Sequence, residues 1–143
     1  DNPSIGAVGW YVDSVTFSNT QVVATCTSGA SCALPSATSG LQLPNRNTLT
    51  WSVGAGASRY DVTRGSTLNL LAADGFTATT TGCAANDLTV TTLTESLLPV
   101  AGDANWYLVR GANSCGVGSY NENSTSQQRL RDPGIAASPN ACP

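Results

Sequence analysis

The sequence predicts an all-β fold, a sandwich of short antiparallel strands with an N-terminal β-strand extension. Three observations lead there. Short β-branched and aromatic runs alternate with Gly, Pro, Asn and Asp clusters, as in sandwiches and barrels. No stretch carries apolar residues at i, i+3, i+4 and i+7 behind a capping residue, so helices are not expected. A length of 143 residues and a hydrophobic fraction of 41% suit one compact domain with a single core.

Residues 1–33 form the extension. Its first run, Gly6 to Phe17, places Val8, Trp10 and Val12 on one face of a strand and Tyr11, Val15 and Phe17 on the other. A solvated edge strand normally carries charge or Pro, whereas this one carries only Asp13. It therefore needs cover on both faces, as buried strands do. The turn Ser18-Asn19-Thr20 leads to a second run, Gln21 to Thr25, and the segment from Cys26 to Cys32 ends the extension.

Residues 34–143 hold about seven further strand candidates, the number of a complete sandwich. Thr48 to Val53 alternates with Leu49, Trp51 and Val53 on one face. The turn Gly54-Ala55-Gly56-Ala57 leads to Ser58–Arg64, where Tyr60 and Val62 share a face. Leu68 to Leu71 and Asp87 to Thr94 read as two more strands. Trp106 to Asn113 reads as another, with Tyr107, Val109 and Gly111 aligned. The expected core is Leu49, Trp51, Tyr60, Val62, Tyr107 and Val109.

These runs carry a resemblance. Leu49-Thr50-Trp51, Tyr60-Asp61-Val62 and Tyr107-Leu108-Val109-Arg110-Gly111-Ala112-Asn113 resemble a fibronectin type III domain, an Ig-like sandwich, over residues 34–132. Val109-Arg110-Gly111 and Asn113-Ser114-Cys115-Gly116 resemble the version appended to bacterial secreted or surface proteins. The resemblance implies that Trp51 lies in the core and that Tyr107 forms a tyrosine corner below it. It also implies that the loop carrying Cys83 and the turn carrying Cys115 share a pole, and hence a Cys83–Cys115 bridge. Separately, Gly9 to Val15 resembles the last strand of jelly-roll domains attached to secreted proteases.

Cys26 and Cys32 enclose a small Gly-containing loop and are expected to bridge locally, leaving Cys142 free or linked between chains. The five cysteines in a Lys-free, Ser/Thr-rich chain point to an oxidising compartment and so to a secreted or cell-surface protein. No C-x2-C pair and no His is present to complete a zinc site.

The absence of His removes Ser–His and Cys–His chemistry. A paired-acid hydrolase would need two of Asp74, Asp87, Glu95 and Asp103 to converge in a cleft, and solvated turns are the simpler expectation for them. No cofactor, metal or catalytic residue is expected. A net charge of −3 argues against nucleic acid and anionic membranes, and no apolar run approaches the ~20 residues that span a bilayer. The Gly-rich stretch Gly111–Gly118 lies between strands and reads as a hairpin turn, not a phosphate loop. Trp10, Tyr11 and Trp106 would suit a sugar-binding platform if exposed, although burial is the favoured reading. Asn123-Ser124-Thr125 has the N-glycosylation acceptor pattern, and the Thr77–Thr81 run would suit O-linked sugar.

Two function classes follow. In the first, the chain is a non-catalytic extracellular subunit whose N-terminal strand adds to the sheet of a neighbouring copy. Such a head-to-tail contact does not close, and yields a filament. In the second, it is the C-terminal spacer or binding module of a larger secreted protease or other hydrolase. A hairpin of residues 8–17 and 21–25 folded back on its own sandwich is the simpler alternative to strand donation.

Overall fold

The structure, a computed structural model, describes residues 32–143 apart from Asp74 and Asn123. In order these form β1 (Gln42–Asn45), β2 (Thr48–Thr50), β3 (Arg59–Ser66), α1 (Thr67–Ala73), β4 (Thr80–Leu88), β5 (Thr92–Thr94), β6 (Asn105–Asn113), β7 (Gly116–Val117) and α2 (Asp132–Ala136). The strands pair antiparallel in a three-stranded sheet ordered β1-β2-β5 and a four-stranded sheet ordered β4-β3-β6-β7. The domain is thus mostly strand, in two antiparallel sheets compatible with a β-sandwich.

Side-chain alternation sets where the sheets meet. Leu49 turns inward between Thr48 and Thr50 and packs with Trp51, just beyond β2, and with Tyr60, Val62 and Val109 of the second sheet. Trp51 meets Tyr60 edge to face, with ring centroids 5.7 Å apart. Tyr107, Leu41 and Leu93 pack against this cluster from its margin. Tyr107 also shows a departure from the implied corner. Its hydroxyl accepts from Asn105 Nδ2, and the same amide donates to Leu97 O. A side-chain relay therefore replaces the direct bond to upstream backbone.

β3 is covered on both faces, since Asp61 and Thr63 are as buried as Tyr60 and Val62. The cover on the outer face comes from the C-terminal segment. Tyr120 lies on Arg110, whose guanidinium sits 4.9 Å from the ring centroid. Asp132, opening α2, accepts from Ser119 Oγ, Tyr120 N and Asn121 Nδ2, and Ile135 is buried beneath it. At the end of β3, Gly65 faces Trp106 across the strand pair. A Cβ at Gly65 would stand 2.1 Å from Thr79 O and 2.2 Å from the Trp106 ring. Gly65→Ala is expected to cost about 1–3 kcal/mol as overpacking, read as a lower urea midpoint with an unchanged m-value.

Three expectations are corrected. Leu68 to Leu71 is helical, not a strand, because Ser66 caps it. Ser66 Oγ accepts the Asn69 N–H at 3.0 Å, and Asp103 Oδ1 accepts the Leu68 N–H at 2.9 Å. Hydrogen bonds donated to the Asp103 carboxylate, by the Ser66 hydroxyl first and then by the Leu68 N–H, hold it below its usual range. Their support is in place above the unfolded carboxyl value and fades as pH falls through the lowered folded one. Asp87 to Thr94 is not one strand, because β4 ends at Leu88 and the chain crosses to the other sheet before β5.

The third correction concerns the cysteines. Cys32 bridges Cys115 and Cys83 bridges Cys142, in place of Cys26–Cys32 and Cys83–Cys115. Cys83 lies within β4 opposite Thr63, not in a loop at the pole shared with Cys115. Cys142 is carried back to it by the C-terminal segment, where Asn140 Nδ2 donates to Thr80 O. Cys142 is therefore not free, and Cys26, outside the described residues, takes part in neither bridge. Non-reducing peptide mapping is expected to recover the Cys32–Cys115 and Cys83–Cys142 peptides. A Cys26–Cys32 peptide would contradict this arrangement.

Candidate functional site

The acids singled out in the sequence are engaged separately. Asp87 adopts a left-handed conformation, φ 56°, where the register between β3 and β4 shifts. That turn aims its N–H at Asp61 Oδ1, 3.1 Å away, while its carboxylate pairs with Arg59 at 3.0 Å. Glu95, following β5, pairs with Arg64 of β3 at 2.6 Å and so ties the two sheets together. Asp103 caps α1. These acids are thus engaged with separate partners, and Asp74 lies outside the described residues. Among the described residues no group of His, Cys, Asp and Glu is placed to hold a metal ion.

The sugar candidates divide similarly. Trp106 stacks edge to face on Phe76, with centroids 5.3 Å apart, and its Nε1 donates to Ser66 O. It is a packing residue over Gly65. Thr79 and Thr80 are buried and donate their hydroxyls to Gly75 O and Phe76 O, so neither offers an acceptor for O-linked sugar. Trp10, Tyr11, Asn123 and the whole proposed assembly strand, Val8, Trp10, Tyr11, Val12, Val15 and Phe17, lie outside the described residues.

What sequence reasoning missed is a groove beside β6. β7 pairs with β6 only at Ala112 and Asn113, and the last backbone bond on that side runs from Gly118 N to Gly111 O at 2.8 Å. The chain then turns away toward Tyr120. On the other side of the groove the segment after Cys32 runs beside β6, fixed by Asn113 Nδ2 to Ala33 O and by Thr38 Oγ1 to Val109 O. Between the two lies a cavity of about 550 Å³, lined by Ala37–Leu41, Leu108, Val109, Ser119–Glu122, Ser124 and Arg131. Arg131 bridges its rim, donating to Tyr120 O and pairing with Glu122 at 2.9 Å. The Tyr120 hydroxyl is buried and has no hydrogen-bond partner among the described residues. Burial pushes its phenol above the ordinary tyrosine range.

A second surface is apolar. Leu97, Leu98 and Val100 in the β5–β6 connection are more than half exposed, beside an equally exposed Leu43 on β1. No helix among the described residues is long and apolar enough to cross a membrane. No protein-family model, curated protein or solved structure matches the chain.

Proposed function

We propose that this chain is a non-catalytic structural module that works outside the cell. Its described part is read as a fibronectin type III-like sandwich, and its copies join by strand addition into a filament. The observation that carries the structural reading is the double anchoring of the domain. Cys32 and Cys142, near the two ends of the described chain, are each bonded to the four-stranded sheet or its terminal turn. Such bridges suit an oxidising, extracellular setting. The three-plus-four strand order, with Trp51 in the core, supports the fibronectin-like reading. The donor would be the run from Val8 to Phe17, apolar on both faces, and the partner another copy of the chain. Glycans attached at Asn123 would be compatible with that setting. The proposal includes no cofactor, nucleic acid or membrane insertion.

A second reading has its own support. Cys32–Pro143 forms a compact unit by itself, as suits a spacer or binding module behind a larger secreted hydrolase. Negative-stain imaging of the purified native material separates the readings. Regular fibres of uniform width are expected for a filament subunit. Isolated particles at every concentration would sink that reading and leave the accessory module.

A further inference from the structure

We infer that the cleft between the β1–β2 hairpin and the β5–β6 connection docks a peptide segment of a partner protein, one that sets an acidic residue beside a large apolar side chain. The inference goes beyond both readings above and depends on neither.

The first argument is an apolar cavity that opens to solvent. It measures about 220 Å³ and is walled by Leu43, Leu97 and Leu98, each more than half exposed. Leu49, a member of the buried cluster, and Tyr107, packed against that cluster, also line it. The cavity therefore reaches from the surface to the core. An apolar cavity of about 150 Å³ holds a benzene ring, so this one has room for an aromatic or branched aliphatic side chain. Exposed apolar patches with polar rims commonly mark interaction sites.

The second argument is that one wall is held in place. Glu95 ties the start of the β5–β6 connection down, accepting the Leu97 N–H through Oε1 at 2.9 Å while its Oε2 pairs with Arg64. Further along, the Asp103 N–H donates to Val100 O at 3.0 Å. A ligand entering the cleft would thus meet a wall already ordered, which lowers the cost of binding.

The third argument is charge. Arg46, in the hairpin turn, is exposed and lines the same cavity. Arg59, Arg64, Arg110 and Arg131 each pair with a carboxylate, whereas Arg46 has no such partner among the described residues. An acid placed beside the apolar anchor would complete it. A second copy is poorly equipped to supply that acid from its described residues. Asp61, Asp87, Glu95 and Glu122 are committed to ion pairs, and Asp103 and Asp132 to hydrogen bonds. The acid is therefore assigned to a different protein.

Photo-crosslinking to the full chain tests the assignment. The probe is the peptide biotinyl-Gly-Asp-Bpa-Gly-amide, in which Bpa is p-benzoylphenylalanine, and the control carries Asn in place of Asp. Adducts are expected on residues 43–49 and 97–107, which bound the cavity. Arg46→Ala should lower the yield from subsaturating Asp probe about two- to fivefold, the worth of an exposed ion pair. The same substitution should leave the Asn probe unaffected. Leu98→Asp should lower both yields at least about tenfold, because it sets an unpaired charge against the apolar anchor. Arg46 and Leu98 are both exposed, so the two variants keep the fold. Adducts confined to other peptides, or equal responses of the Asp and Asn probes to Arg46→Ala, would overturn the site. Sedimentation without probe covers the other occupant. An oligomer of the native chain that Leu98→Asp alone dissociates would hand the cleft to a second copy and overturn the proposal, whereas an unchanged oligomeric state supports it.

Discussion

Removing the Cys83–Cys142 bridge, by Cys83→Ala with Cys142→Ala, is expected to lower the stability of the domain by about 4 kcal/mol. The bridge spans a sequence separation of 59 and the other spans 83. In the loop-entropy account, closures of these lengths each restrict the unfolded chain by roughly 4–4.5 kcal/mol. A domain of this size is stable by only about 5–15 kcal/mol in total. Losing one bridge should therefore leave a weakened but folded protein, and reduction of both should bring unfolding near room temperature. The C-terminal segment adds to the effect, because Cys142 holds it over the outer face of β3. Urea denaturation of the oxidised double variant reads the loss directly. A midpoint shift worth less than ~1 kcal/mol would show that the tail is held by its other contacts alone.

Asp61→Ala is expected to cost about 3–5 kcal/mol, the range for breaking one side of a buried ion pair. Asp61 is 1% exposed and accepts from Arg110 Nε at 2.8 Å and from the Asp87 N–H. Its removal leaves the Arg110 guanidinium charged beneath Tyr120 with no carboxylate, and leaves the turn at Asp87 without its anchor. Replacing both members, Asp61→Leu with Arg110→Met, should cost less than Asp61→Ala alone, because no unpaired charge then remains. A double-mutant cycle by equilibrium unfolding gives the coupling. Additive single effects would mean that the pair is not coupled and that water already solvates Arg110.

Much of the fold was legible because the sheets obey a period of two. Leu49, Trp51, Tyr60, Val62 and Val109 announce themselves by alternation, and the structure gathers these five in its buried cluster. The helix at Thr67–Ala73 was missed for a physical reason. It buries none of its residues, and seven residues are too few to repeat an apolar period, so its signal lay in Ser66 three positions before Asn69. The disulfides were misassigned because pairing follows three-dimensional neighbourhood. The decisive contacts of the C-terminal segment are made by Tyr120, which lies on Arg110, and by Cys142, whose Sγ lies 3.4 Å from Val62 O, and neither residue belongs to a strand. Asp61 likewise sat at an alternating position that ordinarily faces solvent, and only the tail that covers it makes it a buried partner for Arg110. The groove beside β6 depends on where β7 stops, a boundary of a kind that composition does not mark.

The two bridges also set how far the domain can be drawn out under tension. Cys32 is joined to Cys115, and from Cys115 the polypeptide reaches Cys142 in roughly 27 residues, or about 90–100 Å when fully extended. Without the bridges the same two points would be separated by roughly 110 residues and could be pulled about 360–400 Å apart. A domain tugged at Cys32 and Cys142 would thus yield a short, bounded length and then hold on covalent bonds. In a single-molecule pulling trace each oxidised copy should add a contour step about a quarter as long as a reduced one, giving an inextensible tether instead of a spring.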